Sequence, residues 1–149
     1  MEELIKQLKT LQADVVKMYV QAHGFHWNVE GVLFKQFHAF FLEIYEDVYD
    51  SIDPISENLR KLGAKAPFGL SAWQMGSDLD INVSENLPAI LMIQNLVATN
   101  QHVLVELRKT FDLANAIDDQ GIANFIAGRM EQHKFWNWQL TATLTPTIM

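Results

Sequence analysis

Cysteine is absent from this chain, which excludes disulfides and thiolate metal sites. No apolar run approaches the ~18 residues that read as a membrane span. The opening Met1-Glu2-Glu3-Leu4-Ile5-Lys6 is too polar for a secretory leader, so a cytoplasmic protein is expected. No stretch alternates apolar and polar residues as a half-buried strand does. Repeats, low-complexity segments and flexible linkers are also missing, and 149 residues suit one domain, 1–149, with one sizeable core. Neither end carries a Lys/Arg-rich tail, and residues 141–149 contain no basic side chain. Charged residues make up only 19% of the chain, while 49% are hydrophobic. So few charges on a small protein suggest that part of its surface is buried in an oligomer.

What is present is helical periodicity. Leu4, Leu8, Leu11, Val15, Tyr19 and Ala22 fall on one helix face, and that helix is expected to run to about Val29 before Gly31. A second helix is expected from Leu33 to Leu62, with Gly63 as its stop. Residues 63–83, with Gly63, Pro67, Gly69 and Gly76, form a long connection in which Ser71–Leu79 are expected to make a short helix. A third long helix is expected from a Ser84 cap with Pro88 in its first turn, and a fourth from an Asp118 or Asp119 cap to about Leu144. The pattern predicts an all-α, ferritin-like four-helix bundle, with the long connection making the second and third long helices parallel. Pro54 lies deep in the second helix, and a kink is expected there.

The polar residues that carry chemistry are concentrated. Net charge is −7, and residues 30–57 hold Glu30, Glu43, Glu46, Asp47, Asp50, Asp53 and Glu57 against a single Lys35. His26 and His38 stand 12 residues apart, followed 15 residues later by Asp53 and then Glu57. Imidazole with carboxylate is a ligand set that suits iron or zinc. Asp53 and Glu57, spaced i, i+4, share a helix face. His38 cannot reach them along one straight helix, because 15 residues at ~1.5 Å each span roughly 22 Å. A shared ion therefore requires a second chain. Two copies of the helix packed antiparallel about a two-fold axis bring His38 beside Glu57 and position 42 beside Asp53, with the axis near Asp47 and Val48. Taken singly, each histidine reads more readily as structural and each carboxylate as part of a solvated face. His23, His102 and His133 read as satisfied polar residues of the bundle, and Trp136 and Trp138 as packing or interface residues. Glu46 and Asp50 read as solvated or inter-subunit groups.

The run His26-Trp27-Asn28-Val29-Glu30-Gly31, His38, the Asp53/Glu57 pair, the Leu62-Gly63 helix end and the closing segment Asp118–Leu140 together resemble the Dps mini-ferritins. The likeness spans nearly the whole chain. It implies a hollow dodecamer that oxidises Fe(II), with hydrogen peroxide as oxidant, and stores Fe(III). It further implies ferroxidase sites built from His26 and His38 of one chain and Asp53 and Glu57 of its neighbour, with Trp27 beside them and zinc as a second possible occupant. Three departures stand out. Leu42 occupies the position where relatives usually carry an aspartate for the second, weaker iron; Asn124 and Gly128 stand where relatives supply aspartates to an entry channel; and the basic tail is missing. The alternative is a non-enzymatic shell with a structural or weakly active metal site. Compaction of DNA is a third reading, which the acidic balance opposes.

An acidic surface gains little from counterion release. In a gel shift at physiological salt the protein is expected to leave duplex DNA unretarded. Tight, salt-sensitive retention would contradict this.

Overall fold

The computed structural model describes residues 1–146. Among them are four long helices, α1 (Glu2–Asn28), α2 (Phe34–Lys61), α4 (Ala89–Ala116) and α5 (Gln120–Leu144), and one short helix, α3 (Leu70–Met75). The all-α expectation holds, and the long boundaries fall within a few residues of those read from the sequence.

Side-chain contacts fix the directions of the helices. Gln12 of α1 donates to Ser56 of α2 at 2.8 Å, while His26 of α1 meets His38 of α2, so the two helices are antiparallel. On α4, Glu106 accepts from Gln7, His102 bonds Asp14 and Thr99 donates to Gln21. As α1 numbers rise, α4 numbers fall, so α4 is also antiparallel to α1. Hence α2 and α4 run parallel, as the long crossing between them requires. Leu8, Met18, Phe41, Ile55, Ile93 and Leu96 are among the fully buried side chains of the shared core.

The termini follow local chemistry. After Leu62, Gly63 adopts φ +86°, and Ala64 N–H donates back to Leu59 O at 3.0 Å. This is the left-handed closure that glycine permits at a helix end. At the start of α5 the Asp119 carboxylate accepts from Ile122 N–H at 3.0 Å, which makes it the cap. Pro54 does not break α2, which is helical throughout Phe34–Lys61.

Two expectations need correction. The third long helix does not start at Ser84. Its cap is Pro88 and its first residue Ala89, because proline disfavours helical geometry in the residue before it and because Ser84 is engaged in a local turn with Asn82 and Asn86. The short helix spans Leu70–Met75 rather than Ser71–Leu79. It stops at Gly76, where an added Cβ would lie 2.9 Å from the Ala13 Cβ. Beyond it the backbone carbonyls of Ser77 and Leu79 accept from Lys17 Nζ at 3.0 and 2.9 Å, so the crossing is clamped onto α1.

A buried polar network joins α2, α4 and α5. Arg129 donates to both oxygens of Asp47 at 2.9 Å, and the Trp136 indole adds a third donor at 2.8 Å. His133, fully buried, donates from Nδ1 to Asn100 and accepts from Arg129 at Nε2. Burial, reinforced by the Arg129 charge, lowers its pKa to about 3. Protonation of the unfolded chain near pH 6.5 therefore draws the protein toward unfolding. Stability is fully present above that pH. It is lost as pH falls toward about 3, at no more than about 1.4 kcal/mol per pH unit for this one proton. Thermal melts between pH 7 and pH 4 should show this decline, and His133→Gln should flatten it while costing stability at neutral pH. An equal slope in the variant would contradict the assignment.

Candidate metal centre

His26 occupies the last turn of α1 and His38 the second turn of α2, across a turn in which Gly31 has φ +121°. Their side chains meet through a crossed pair of hydrogen bonds. His26 Nδ1 donates to the His38 carbonyl and His38 Nδ1 donates to the His26 carbonyl, each at 2.7 Å. The rings stack with centroids 3.8 Å apart and planes 16° apart. The His26 carbonyl belongs to the last turn of α1, where helical partners run out, so His38 also closes that helix end. With both Nδ1 hydrogens committed, the lone pair of each neutral ring resides on Nε2, the atom a metal ion binds. Backbone acceptors behind ligating imidazoles fix both tautomer and ring direction.

The carboxylates stand elsewhere. Asp53 and Glu57 are exposed on the later half of α2, roughly 22 and 28 Å along the helix from His38 at ~1.5 Å per residue. Neither takes part in any ion pair among the described residues. Nor does any group of three or more His, Asp or Glu among them stand close enough to hold a metal ion. The chain thus brings its two imidazoles together and keeps its two carboxylates apart from them. Leu42, one turn beyond His38, is half-buried, and Glu43, Glu46 and Asp50 are exposed. Asp50 and Asp53 line a groove of about 860 Å³ with Tyr19, Tyr49, Leu70 and Trp73. On α5, Asn124 and Gly128 are exposed.

One residue of the predicted two-fold contact is used differently. Asp47 turns into its own subunit toward Arg129 and Trp136, which hold its carboxyl below the usual range despite burial. Val48 is fully buried in the core. At the level of these residues, the face of α2 open to another chain is that of Glu46, Tyr49, Asp50 and Asp53.

The sequence reading missed the aromatic surroundings of the histidine pair. His23 stacks on Tyr45, with centroids 3.9 Å apart and planes 10° apart, and bonds the Tyr19 hydroxyl at 2.9 Å. Burial, with His26 nearby, lowers the His23 pKa, and burial beside Tyr49 and Tyr45 raises that of Tyr19. Trp27 is exposed, with its ring centroid 4.1 Å from that of His23. The available signal was spacing: Tyr19 precedes His26 by seven residues and Tyr45 follows His38 by seven, two helical turns in each case.

The ferritin-like domain model matches residues 5–147. The chain belongs to the ferritin-like family. It is 30% identical over 129 residues to an uncharacterized low temperature-induced protein of Nostoc, covering 86% of this chain and 72% of that one. Antigen TpF1 of Treponema pallidum superposes with a TM-score of 0.94 at 25% identity, over 97% of this chain and 93% of the other. The Dps protein of Vibrio cholerae, described as a member of a broad superfamily of ferritin-like diiron-carboxylate proteins, superposes with a TM-score of 0.92 at 26% identity, over 97% and 90%. This ferritin-like chain is therefore of the Dps kind in sequence relatives and in fold. No helix among its described residues is long and apolar enough to cross a membrane.

Proposed function

We propose that this protein oxidises Fe(II) at sites between subunits and stores Fe(III) inside a dodecameric shell, with hydrogen peroxide as oxidant. The observation that carries this reading is the crossed histidine pair. Two adjacent imidazoles, each held by a backbone carbonyl, offer two Nε2 ligands but no carboxylate. A second chain, packed antiparallel across the exposed face of α2, supplies Asp53 and Glu57. Imidazole suits Fe(II), and carboxylate favours the harder Fe(III) product. Iron is here the substrate: it loses the electron, and the side chains set its position. The same imidazole pair suits zinc, which would compete for the site. Family membership supports iron as the cargo.

Leu42 bears on stoichiometry. By the antiparallel pairing it faces Asp53 of the neighbouring chain, and it offers no lone pair. The site then holds one iron firmly and a second weakly, and oxidation is slow. The competing reading, a shell with a structural metal and little oxidation, shares this feature. Anaerobic Fe(II) titration, followed by addition of hydrogen peroxide and optical detection of Fe(III), separates the two.

Shared sites have a genetic signature. His38→Ala and Glu57→Ala should each reduce Fe(II) oxidation at least tenfold, whereas shells assembled from both variants together should regain part of it. An interface with one variant of each kind keeps one intact site of its two. Failure to regain any activity in mixed shells would point to a site within one subunit.

Leu42→Asp should raise the Fe(II) bound per subunit and accelerate peroxide-driven oxidation. It should also lower apo-protein stability by about 1 kcal/mol, since a further carboxylate joins Asp53 and Glu57. Two firmly bound irons per site in the unsubstituted protein, with no gain in the variant, would show that another group, such as Glu43 or Glu46, completes the site.

A further inference from the structure

The segment around the short helix α3 turns its large apolar side chains outward. Phe68 is 86% exposed, Leu70 85% and Met75 82%. A single exposed leucine is ordinary, but apolar side chains clustered on one segment mark a contact surface. The backbone holds them outward. Gly69 enters the helix at φ +105°, its carbonyl accepts from Trp73 N–H, and Lys17 Nζ clamps Ser77 and Leu79 behind it. Leu70 shares a groove with Ile52, Asp53 and Ser56 of α2, so it stands at the level of Asp53.

The surface as a whole carries the same mark. The subunit exposes 8585 Å² at a mass of 17.1 kDa, whereas a monomer of that mass is expected to expose about 7750 Å². The excess, roughly 800 Å², is the share that each partner contributes to an interface of standard size.

The register of α2 says what meets Leu70. Leu42 is half-buried, and eleven residues at about 100° each put it within about 20° of Asp53 around the helix. Both therefore belong to the face open to another chain. Along one helix they stand roughly 16 Å apart, so Leu42 and Leu70 of the same subunit occupy opposite halves of that face. The antiparallel pairing of α2 with its copy sets Leu42 beside Asp53 of the neighbouring chain, and hence beside that chain's Leu70. The two-fold axis repeats the contact on its other side.

We propose that α3 is an assembly surface for a second copy of this chain, on which Leu42 of one subunit packs against Leu70 of the other. The proposal rests on the two-fold pairing of the iron-oxidation reading above. Apolar burial at these positions offsets the repulsion between the facing carboxylates when no cation is bound. The side chain that denies a second iron its ligand thus joins the metal-free subunits. An aspartate at position 42 would lose the contact and add a charge, so firm binding of a second iron and assembly without metal are alternatives at this position.

The chain has no cysteine, so thiols introduced at 42 and 70 report on this contact alone. The test uses the full-length protein carrying Leu42→Cys and Leu70→Cys together, freed of metal with a chelator and treated with a short bifunctional maleimide. Covalent dimers on a denaturing gel are expected, with far fewer in either single variant. Sedimentation of the unsubstituted, metal-free protein should show assembly. Leu70→Ser changes a side chain outside the core and should weaken that assembly at least about tenfold, because each dimer loses two contacts. An unaltered far-ultraviolet circular dichroism spectrum would establish that this variant still folds. Monomers in the unsubstituted metal-free protein, assembly without the 42–70 link, or equal linking in a single variant would overturn the proposal and leave α3 to a different partner. None of these readouts involves iron. Fe(III) formation without the link would overturn the contact and leave iron oxidation standing, whereas the link without Fe(III) formation would overturn iron oxidation and support the contact.

Discussion

The crossed hydrogen bonds between His26 and His38 are the constraint on which the site depends. Each imidazole is tied to the backbone of the other helix at 2.7 Å, so neither ring can turn without breaking a hydrogen bond, and turning His38 also strips the His26 carbonyl, at the open end of α1, of its partner. Such a bond contributes about 1 kcal/mol net, and stranding a buried acceptor costs about 1–3 kcal/mol. The same pair closes the end of α1 against the start of α2. Helix termination and the orientation of both imidazoles are therefore coupled: the bonds that close this hairpin also leave the two Nε2 atoms free.

The helix α2 has two unlike faces. Toward its own bundle it buries Phe41, Ile44, Val48 and Ile55 and sends Asp47 to Arg129 and Trp136. Away from the bundle it leaves Glu46, Tyr49, Asp50, Asp53 and Glu57 exposed. Concentrated carboxylates on one open face attract cations. On their own they also make close approach of a second copy unfavourable unless a cation neutralises them, so the proposed assembly would couple metal occupancy to the contact between subunits.

Much of this was legible in the sequence. Helical periodicity located the four long elements because each buries a stripe of large apolar residues, and the stop at Gly63 and the cap at Asp119 carry local chemistry that needs no tertiary information. The separation of His38 from Asp53 was legible too, because it depends only on helical rise. What could not be read were contacts made by side chains far apart in sequence. Asp47 was expected near the two-fold axis, among the carboxylates of residues 30–57, but Arg129, 82 residues on, claims it. His133 looked like a residue on a bundle face, whereas Asn100 and Arg129 let it be fully buried. Ser84 was a plausible cap by composition, but its hydroxyl serves a local turn and Pro88 sets the helix start. The tyrosine–histidine cluster was invisible because its members come from two helices whose relative rotation no periodicity reveals.

Anomalous X-ray diffraction at the iron edge, on crystals of the assembled protein soaked anaerobically with Fe(II), tests the central claim most directly. The account predicts one strong iron peak per subunit at a two-fold contact, within coordination distance of His26 Nε2 and His38 Nε2 of one chain and of the Asp53 and Glu57 carboxylates of the other. Iron bound to residues of a single chain, or a histidine pair left empty while iron occupies another site, would contradict it.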